Sequence, residues 1–158
     1  MATRFRELLT VLARHRVDHV IIGGVAMVLH GAPISTLDVD VVYRRSDENI
    51  DRLLTALDEL DAHFHDLSGR RLRATKSLLD LPSPKLLRTS LGRLDVLGEL
   101  DPNLAWESLW QQSETVDLDG LQVRIASLSH LIAAKERAGR PKDRLHLLQL
   151  RSLLVRKR

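Results

Sequence analysis

The sequence predicts an α+β domain, a mixed β-sheet flanked by helices and closed by a C-terminal helical hairpin. Three observations lead there. Apolar residues change period along the chain, from helical spacing in Phe5, Leu8, Leu9 and Leu12 to the unbroken strand-like run His19–Ile22. Two hairpin signals, Gly92-Arg93 and Asp119-Gly120, sit between strand-like runs in the second half. The chain has 158 residues, 44% of them hydrophobic and none cysteine. That length suits one core without disulfides or metal staples.

The elements follow in order. Residues 4–16 read as an amphipathic helix, and 19–22 as a buried strand that stops at Gly23-Gly24. Val25–His30 reads as a short helix closed by Gly31 and Pro33. Residues 37–43 form a second strand. Ser46 caps a helix to about Leu60, with Asp47 and Glu48 in its first turn. Residues 61–84 show little pattern beyond a basic loop with Arg70, Arg71, Arg73 and Lys76. Hairpins are expected at 86–100 and 115–125, with a helix near 104–112 between them. Ser127 caps a helix that ends at Gly139, and Pro141 sits where a last helix would begin. The expected organisation is a core of residues 1–126 with a helical hairpin, 127–158, packed on it.

Composition narrows the function. Without cysteine there is no Cys-ligated zinc, iron–sulfur cluster or thiol nucleophile. At 3% aromatics, a platform of rings for stacking bases is not expected. No apolar run reaches the length of a membrane span, and the polar start (Met1 to Glu7) does not look like a secretory signal, so a cytoplasmic protein is expected. The net charge of +3 divides unevenly. Arg124–Arg158 holds ten basic residues against two acidic ones, a net of +8, which leaves −5 for the rest. A basic segment of this kind suits phosphate contact or a solvated helical face.

The chemistry concentrates in residues 20–43. In a strand, residues i and i+2 share a face about 6.6 Å apart. Asp38 and Asp40 therefore point one way, and Leu37, Val39 and Val41 the other, towards a core. Paired carboxylates repel each other unless a hard cation such as Mg²⁺ takes them as oxygen ligands. Asp95, inside the apolar run Arg93–Leu97, would complete a set of three if its strand lies beside the first. Glu99 is the alternative. Three acids can hold two metal ions for in-line phosphoryl or nucleotidyl transfer. Gly23-Gly24, between strand and helix, lets backbone N–H groups approach phosphate closely. Ser35 and Thr36 could add hydroxyls. There is no Walker A or Gly-x-Gly-x-x-Gly sequence. His63-x-His65 lacks the further ligands a zinc site needs.

Gly23-Gly24, followed by Asp38-Val39-Asp40 and a later strand acid at Asp95, resembles the signature of the nucleotidyltransferase superfamily, the DNA polymerase β-like fold. Leu131–Asp143 followed by a leucine-rich helix resembles bacterial minimal nucleotidyltransferases of the abortive-infection (AbiEii-like) toxin type. The resemblance implies an Mg²⁺-dependent enzyme that moves an NMP from an NTP to an acceptor hydroxyl. It makes Asp38, Asp40 and Asp95 catalytic and metal-binding. Gly23, Gly24, Ser35, Thr36, Lys135 and Lys142 become nucleotide-binding. It implies a toxin–antitoxin component whose acceptor is RNA, such as a tRNA 3′ end, or a protein, with a cognate toxin or antitoxin as partner. The family often has Arg where this chain has Ile34, which removes one expected phosphate or substrate contact. The alternative reading is a non-catalytic module of the same fold, an antitoxin or regulatory subunit.

Overall fold

The computed structural model describes residues 3–65 and 68–157. Arg158, counted in the basic segment, lies outside the described residues. The chain opens with α1 (Phe5–Arg14), which buries the expected Leu8, Leu9 and Leu12 together with Val11, while Phe5 is half-buried. β1 (His19–Ile22) runs directly into α2 (Gly23–Leu29), so the helix starts at the glycine pair itself. β2 (Asp38–Tyr43) follows. α3 (Asp47–Glu59) starts at Ser46, whose side chain accepts the Asn49 N–H. Asn49 is fully buried. Its side chain accepts from Asp18 N–H (2.6 Å) and donates to Asp18 O (3.0 Å) and Arg44 O (2.8 Å), tying the start of β1 to the end of β2.

The middle of the chain contains β3 (His63–Phe64), α4 (Lys76–Leu79), β4 (Lys85–Thr89) and β5 (Gly92–Leu97). A small ribbon, β6 (Glu99–Asp101) with β7 (Leu104–Ala105), leads into α5 (Trp106–Gln112). The last hairpin is β8 (Glu114–Leu118) and β9 (Leu121–Ile125). Asp119 and Gly120 both have positive φ, 51° and 90°, as a primed hairpin turn requires. α6 (Leu128–Ala138) is capped by Ser127 and ends at Gly139 in the left-handed conformation, φ 59°. α7 (Asp143–Arg156) returns along it. The last helix begins two residues after Pro141, with Lys142 at its N-cap position.

Seven strands form one mixed sheet in the order β3-β4-β5-β2-β1-β9-β8. β2 runs antiparallel to β1 and parallel to β5. β1 is joined to β9 through Ile21 and Ile125, in parallel. The apolar core includes Val39, Val41, Leu94 and Val96 from the central strands, with Leu131, Ile132 and Leu150 from the terminal helices. The helical hairpin is thus part of the same core.

Two expectations are corrected. Leu37 is not a core residue: β2 starts one position later, and the leucine is 67% exposed. The expected strand through Leu100 breaks at Gly98. A Cβ there would lie 2.8 Å from Arg45 Cδ, Leu81 O and Pro82 Cα, so close passage of the 81–82 segment requires glycine.

Candidate active site

β2 and β5 bring the acids together. Their parallel register sets Asp40 opposite Asp95 and Asp38 opposite Arg93. Asp38 and Asp40, two residues apart, share a face, while Val39 and Val41 are buried on the other. β1 runs antiparallel on the other side of β2, with Ile22 opposite Asp40, so the Gly23-Gly24 turn lands beside the acids. Gly23 has φ 65°, and a Cβ at this position would collide with Asp40 Oδ2. Gly24 is as tightly enclosed: its Cβ would lie 2.5 Å from Thr36 Oγ1. Thr36 in turn donates its hydroxyl to Asp38 O (3.2 Å). Ser35 is exposed in the loop before β2.

The electrostatics follow from this crowding. Burial raises the Asp40 carboxyl to about 7, helped by its hydrogen bond with Asp95 and by the Asp95 and Asp38 charges. Burial also raises Asp95. Near neutrality the pair therefore tends to retain a proton, with Asp40 as donor and Asp95 as acceptor. Arg93 Nε lies 3.3 Å from Asp38 Oδ1 and provides the nearest positive charge.

The residues suit a hard cation. Among the described residues, Asp95 Oδ1 is a buried oxygen without a hydrogen-bond partner, and Asp38 Oδ1, also buried and without one, faces the Arg93 guanidinium at 3.3 Å. Gly23 keeps the space next to Asp40 free of a side chain. No three acids or histidines among the described residues are converged into a ready-made cage. Mg²⁺ commonly takes one or two carboxylates and completes its shell with water and phosphate oxygens, so a full protein cage is not required.

A cleft of about 580 Å³ begins at Gly23, beside Asp40, although none of the three acids lines it. Ile22, Gly23 and Met27 line one wall, and Leu131, Lys135 and Arg140 another. Lys135 is thus brought to the same cavity as Gly23. Its Nζ lies 3.0 Å from Asp143 Oδ1, and Arg140 Nε lies 2.8 Å from Asp143 Oδ2. Asp143 is 1% exposed. Burial pushes its carboxyl up, and hydrogen bonds from Arg140 and Lys135 outweigh that, holding it at about 2. Lys142 is exposed and does not line the cleft.

Sequence reasoning did not single out Arg137, Arg140 or Asp101 for this cleft. Arg137 Nε lies 3.7 Å from Asp101 Oδ2 across it. Helical spacing alone, with Arg137 two residues from Lys135, gave no sign that β6 would meet this helix. His63 and His65 have separate partners: His63 Nδ1 lies 3.0 Å from Asp61 O, and His65 Nδ1 accepts from Arg88 Nε at 3.0 Å.

A family model described as "Nucleotidyltransferase of unknown function (DUF6036)" matches residues 3–151. The chain belongs to this nucleotidyltransferase family. Solved structures share the fold of this nucleotidyltransferase. The lincosamide antibiotic adenylyltransferase LnuA, lincomycin-bound, is 14% identical with a TM-score of 0.64, covering 96% of this chain and 98% of its own. ANT(2″)-Ia in complex with adenylyl-2″-tobramycin is 15% identical with a TM-score of 0.63, covering 98% and 87%. A candidate nucleotidyltransferase from Thermotoga maritima is 15% identical with a TM-score of 0.58, covering 98% and 91%. No curated protein matches the chain. Among the described residues, no helix is long and apolar enough to cross a membrane.

Proposed function

We propose that this nucleotidyltransferase moves the NMP of an NTP to an acceptor hydroxyl with the help of Mg²⁺. The observation that carries the proposal is the register of β2 on β5, with Asp40 facing Asp95, Asp38 two residues along and the bare Gly23 against Asp40. Asp38, Asp40 and Asp95 are the metal ligands in this reading. Gly23 and Gly24 receive the triphosphate on backbone N–H groups. Lys135 and Arg140 line the cleft and supply positive charge to the phosphates. A bound divalent cation would neutralise charge on the triphosphate and make the attacking hydroxyl more acidic. Asp95 accepts the hydroxyl proton. Thr36 acts as a positioning residue that fixes the turn before Asp38. Lincomycin and tobramycin in the two antibiotic-modifying neighbours show that this fold accommodates varied acceptors.

From the resemblance of residues 131–143, we assign the protein to a toxin–antitoxin system, in the cytoplasm, with RNA or a partner protein as acceptor. Induction in a host that lacks the neighbouring gene, scored by growth arrest, tests the system role.

The decisive assay supplies each NTP, radiolabelled at the α-phosphate, to the protein with total RNA and protein as acceptors. Label transfer that needs Mg²⁺, and that Asp38→Asn with Asp40→Asn removes, supports the enzyme. Wild type that binds no NTP and transfers no label leaves a non-catalytic module of this fold.

A further inference from the structure

The cleft comes up to Gly23, which follows β1 and abuts Asp40, and is closed by α6 and the β6 residues Leu100 and Asp101. In an in-line displacement the attacking oxygen and the departing phosphate occupy opposite sides of the reacting phosphorus. With the triphosphate in the cleft, the acceptor approaches from the opposite side, over β5, β4 and β3.

Register sets the residues that await it, because directly opposite residues in neighbouring strands share a face. One row across the sheet reads Asp40, Asp95, Leu86, and the next reads Asp38, Arg93, Arg88, His63. Arg93 and Arg88 are directly opposite each other, and both are exposed. Like charges in that relation destabilise a sheet, and Asp38 offsets Arg93 alone, so the fold gives no charge partner among the described residues that accounts for Arg88. Arg93 reaches Asp38, as described. Arg88 meets an imidazole, that of His65, rather than a carboxylate. Strands lie about 4.8 Å apart, so Arg93, Arg88 and His63 span about 10 Å. That is a run of donors rather than a single anion pocket. Leu86, 55% exposed, lies beside Asp95 as an apolar step next to the run.

We propose that this row is the acceptor site and that the acceptor is a nucleic-acid strand. The strand presents its 3′ hydroxyl to Asp95 and its first backbone phosphates to Arg93 and Arg88. The proposal rests on the nucleotidyl-transfer reading above. The 3′ oxygen forms a bond to the α-phosphorus of the NTP. The bond from that phosphorus to the bridging oxygen breaks, and pyrophosphate leaves with the electron pair. The hydroxyl proton passes to the ionised Asp95 carboxylate. A polycationic acceptor would meet two arginines at the entrance, and a neutral one would leave their repulsion uncompensated. Among the positive charges of the C-terminal helices, Lys135 and Arg140 face the cleft and Asp143, Arg137 pairs with Asp101, and Arg151 pairs with Glu136.

The test uses the full chain and short 5′-labelled single strands of RNA and DNA, read by fluorescence anisotropy in EDTA without NTP. Binding is thus measured apart from catalysis. Wild type binds at low salt, and Arg88→Ala weakens binding about tenfold. The variant also flattens the salt dependence of the logarithm of affinity by about 0.7. Arg144→Ala, on the surface of α7, leaves both unchanged. Thermal melting shows that Arg88→Ala is folded, since its loss relieves the arginine pair. Tight binding of RNA alone, DNA alone or both supports the row and identifies the sugar. Binding lost in Arg144→Ala but kept in Arg88→Ala overturns it in favour of the C-terminal helices. If neither strand binds and label still passes to protein, the row is overturned while nucleotidyl transfer stands. If strands bind through Arg88 but no nucleotide is transferred to them, the row is not an acceptor site.

Discussion

Replacing Asp40 by asparagine tests the electrostatic account of the site without any knowledge of the substrate. Asparagine keeps the shape and the capacity to donate to Asp95, and removes the ionisation. Asp40 titrates at about 7 in the fold against an ordinary 3.8. A raised folded-state value means that its stabilising contribution is complete below 3.8 and is lost as pH rises through 7. Between pH 5 and 8.5, about two units of that rise remain to be traversed. At 1.36 kcal/mol per unit, wild type should lose about 3 kcal/mol from this group. Asp40→Asn should lose none of it, so the variant becomes the more stable protein at pH 8.5 by that margin relative to pH 5. In a chain of this size the difference amounts to roughly 6–12 °C in melting temperature. The assay is urea and thermal unfolding of both proteins in EDTA at the two pH values. Added Mg²⁺ at pH 8.5 should then restore wild type and leave the variant little changed. Parallel pH profiles for the two proteins would refute the idea that Asp40 is held protonated by its neighbours. A variant unfolded at both pH values would make Asp40 a structural residue.

Three further outcomes are expected. Gly23→Ala sets a methyl against Asp40 at a positive φ, so NTP-dependent transfer should fall at least about 100-fold while the circular dichroism spectrum stays native; retained activity would remove Gly23 from the phosphate site. Asp143→Asn removes a carboxylate held at about 2. That depressed value contributes stability above 3.8 that is lost as pH falls through 2, so the variant should be about 2 kcal/mol less stable at pH 7 and nearly equal to wild type at pH 2, as read by chemical denaturation. Lys135→Ala should weaken NTP binding by about tenfold in calorimetry, whereas Lys142→Ala, outside the cleft, should change it less than about twofold; the reverse order would relocate the phosphate contact.

Local chemistry made much of this architecture legible. Ser46 and Ser127 cap the helices they were expected to cap, Gly139 ends α6, and Asp119-Gly120 turns the last hairpin. Alternation placed Asp38 and Asp40 on one face before any partner strand was known. Proximity of Asp95 depends on β5 lying beside β2, a non-local pairing that no spacing rule dictates. The end of the 61–84 stretch was opaque because side chains outside it hold Leu79 and Leu81. Tyr43 Oη donates to Leu79 O, and Lys85, only 3% exposed, donates its Nζ to Tyr43 Oη at 3.1 Å and to Leu81 O. Its ordering groups are a tyrosine and a lysine from β2 and β4, which leave no periodic trace in the segment they hold. Asp101 and Arg137 were missed for the same reason.

The sheet order also carries a timetable. Pairing β2 with β5 joins residues about 55 positions apart, and β1 with β9 joins Ile21 to Ile125. Non-local pairings of this kind form late and slowly. During synthesis the acids cannot meet until Leu97 has emerged, and the cleft has no second wall until α6 follows. A nascent chain therefore acquires its carboxylate face before it has a place to hold a nucleotide. In the proposed reading, catalytic competence then waits for α6 and Arg140, which supply the second wall of the cleft. If the acceptor is the nucleic-acid strand proposed above, that order keeps the half-built site inert beside the ribosome's own RNA.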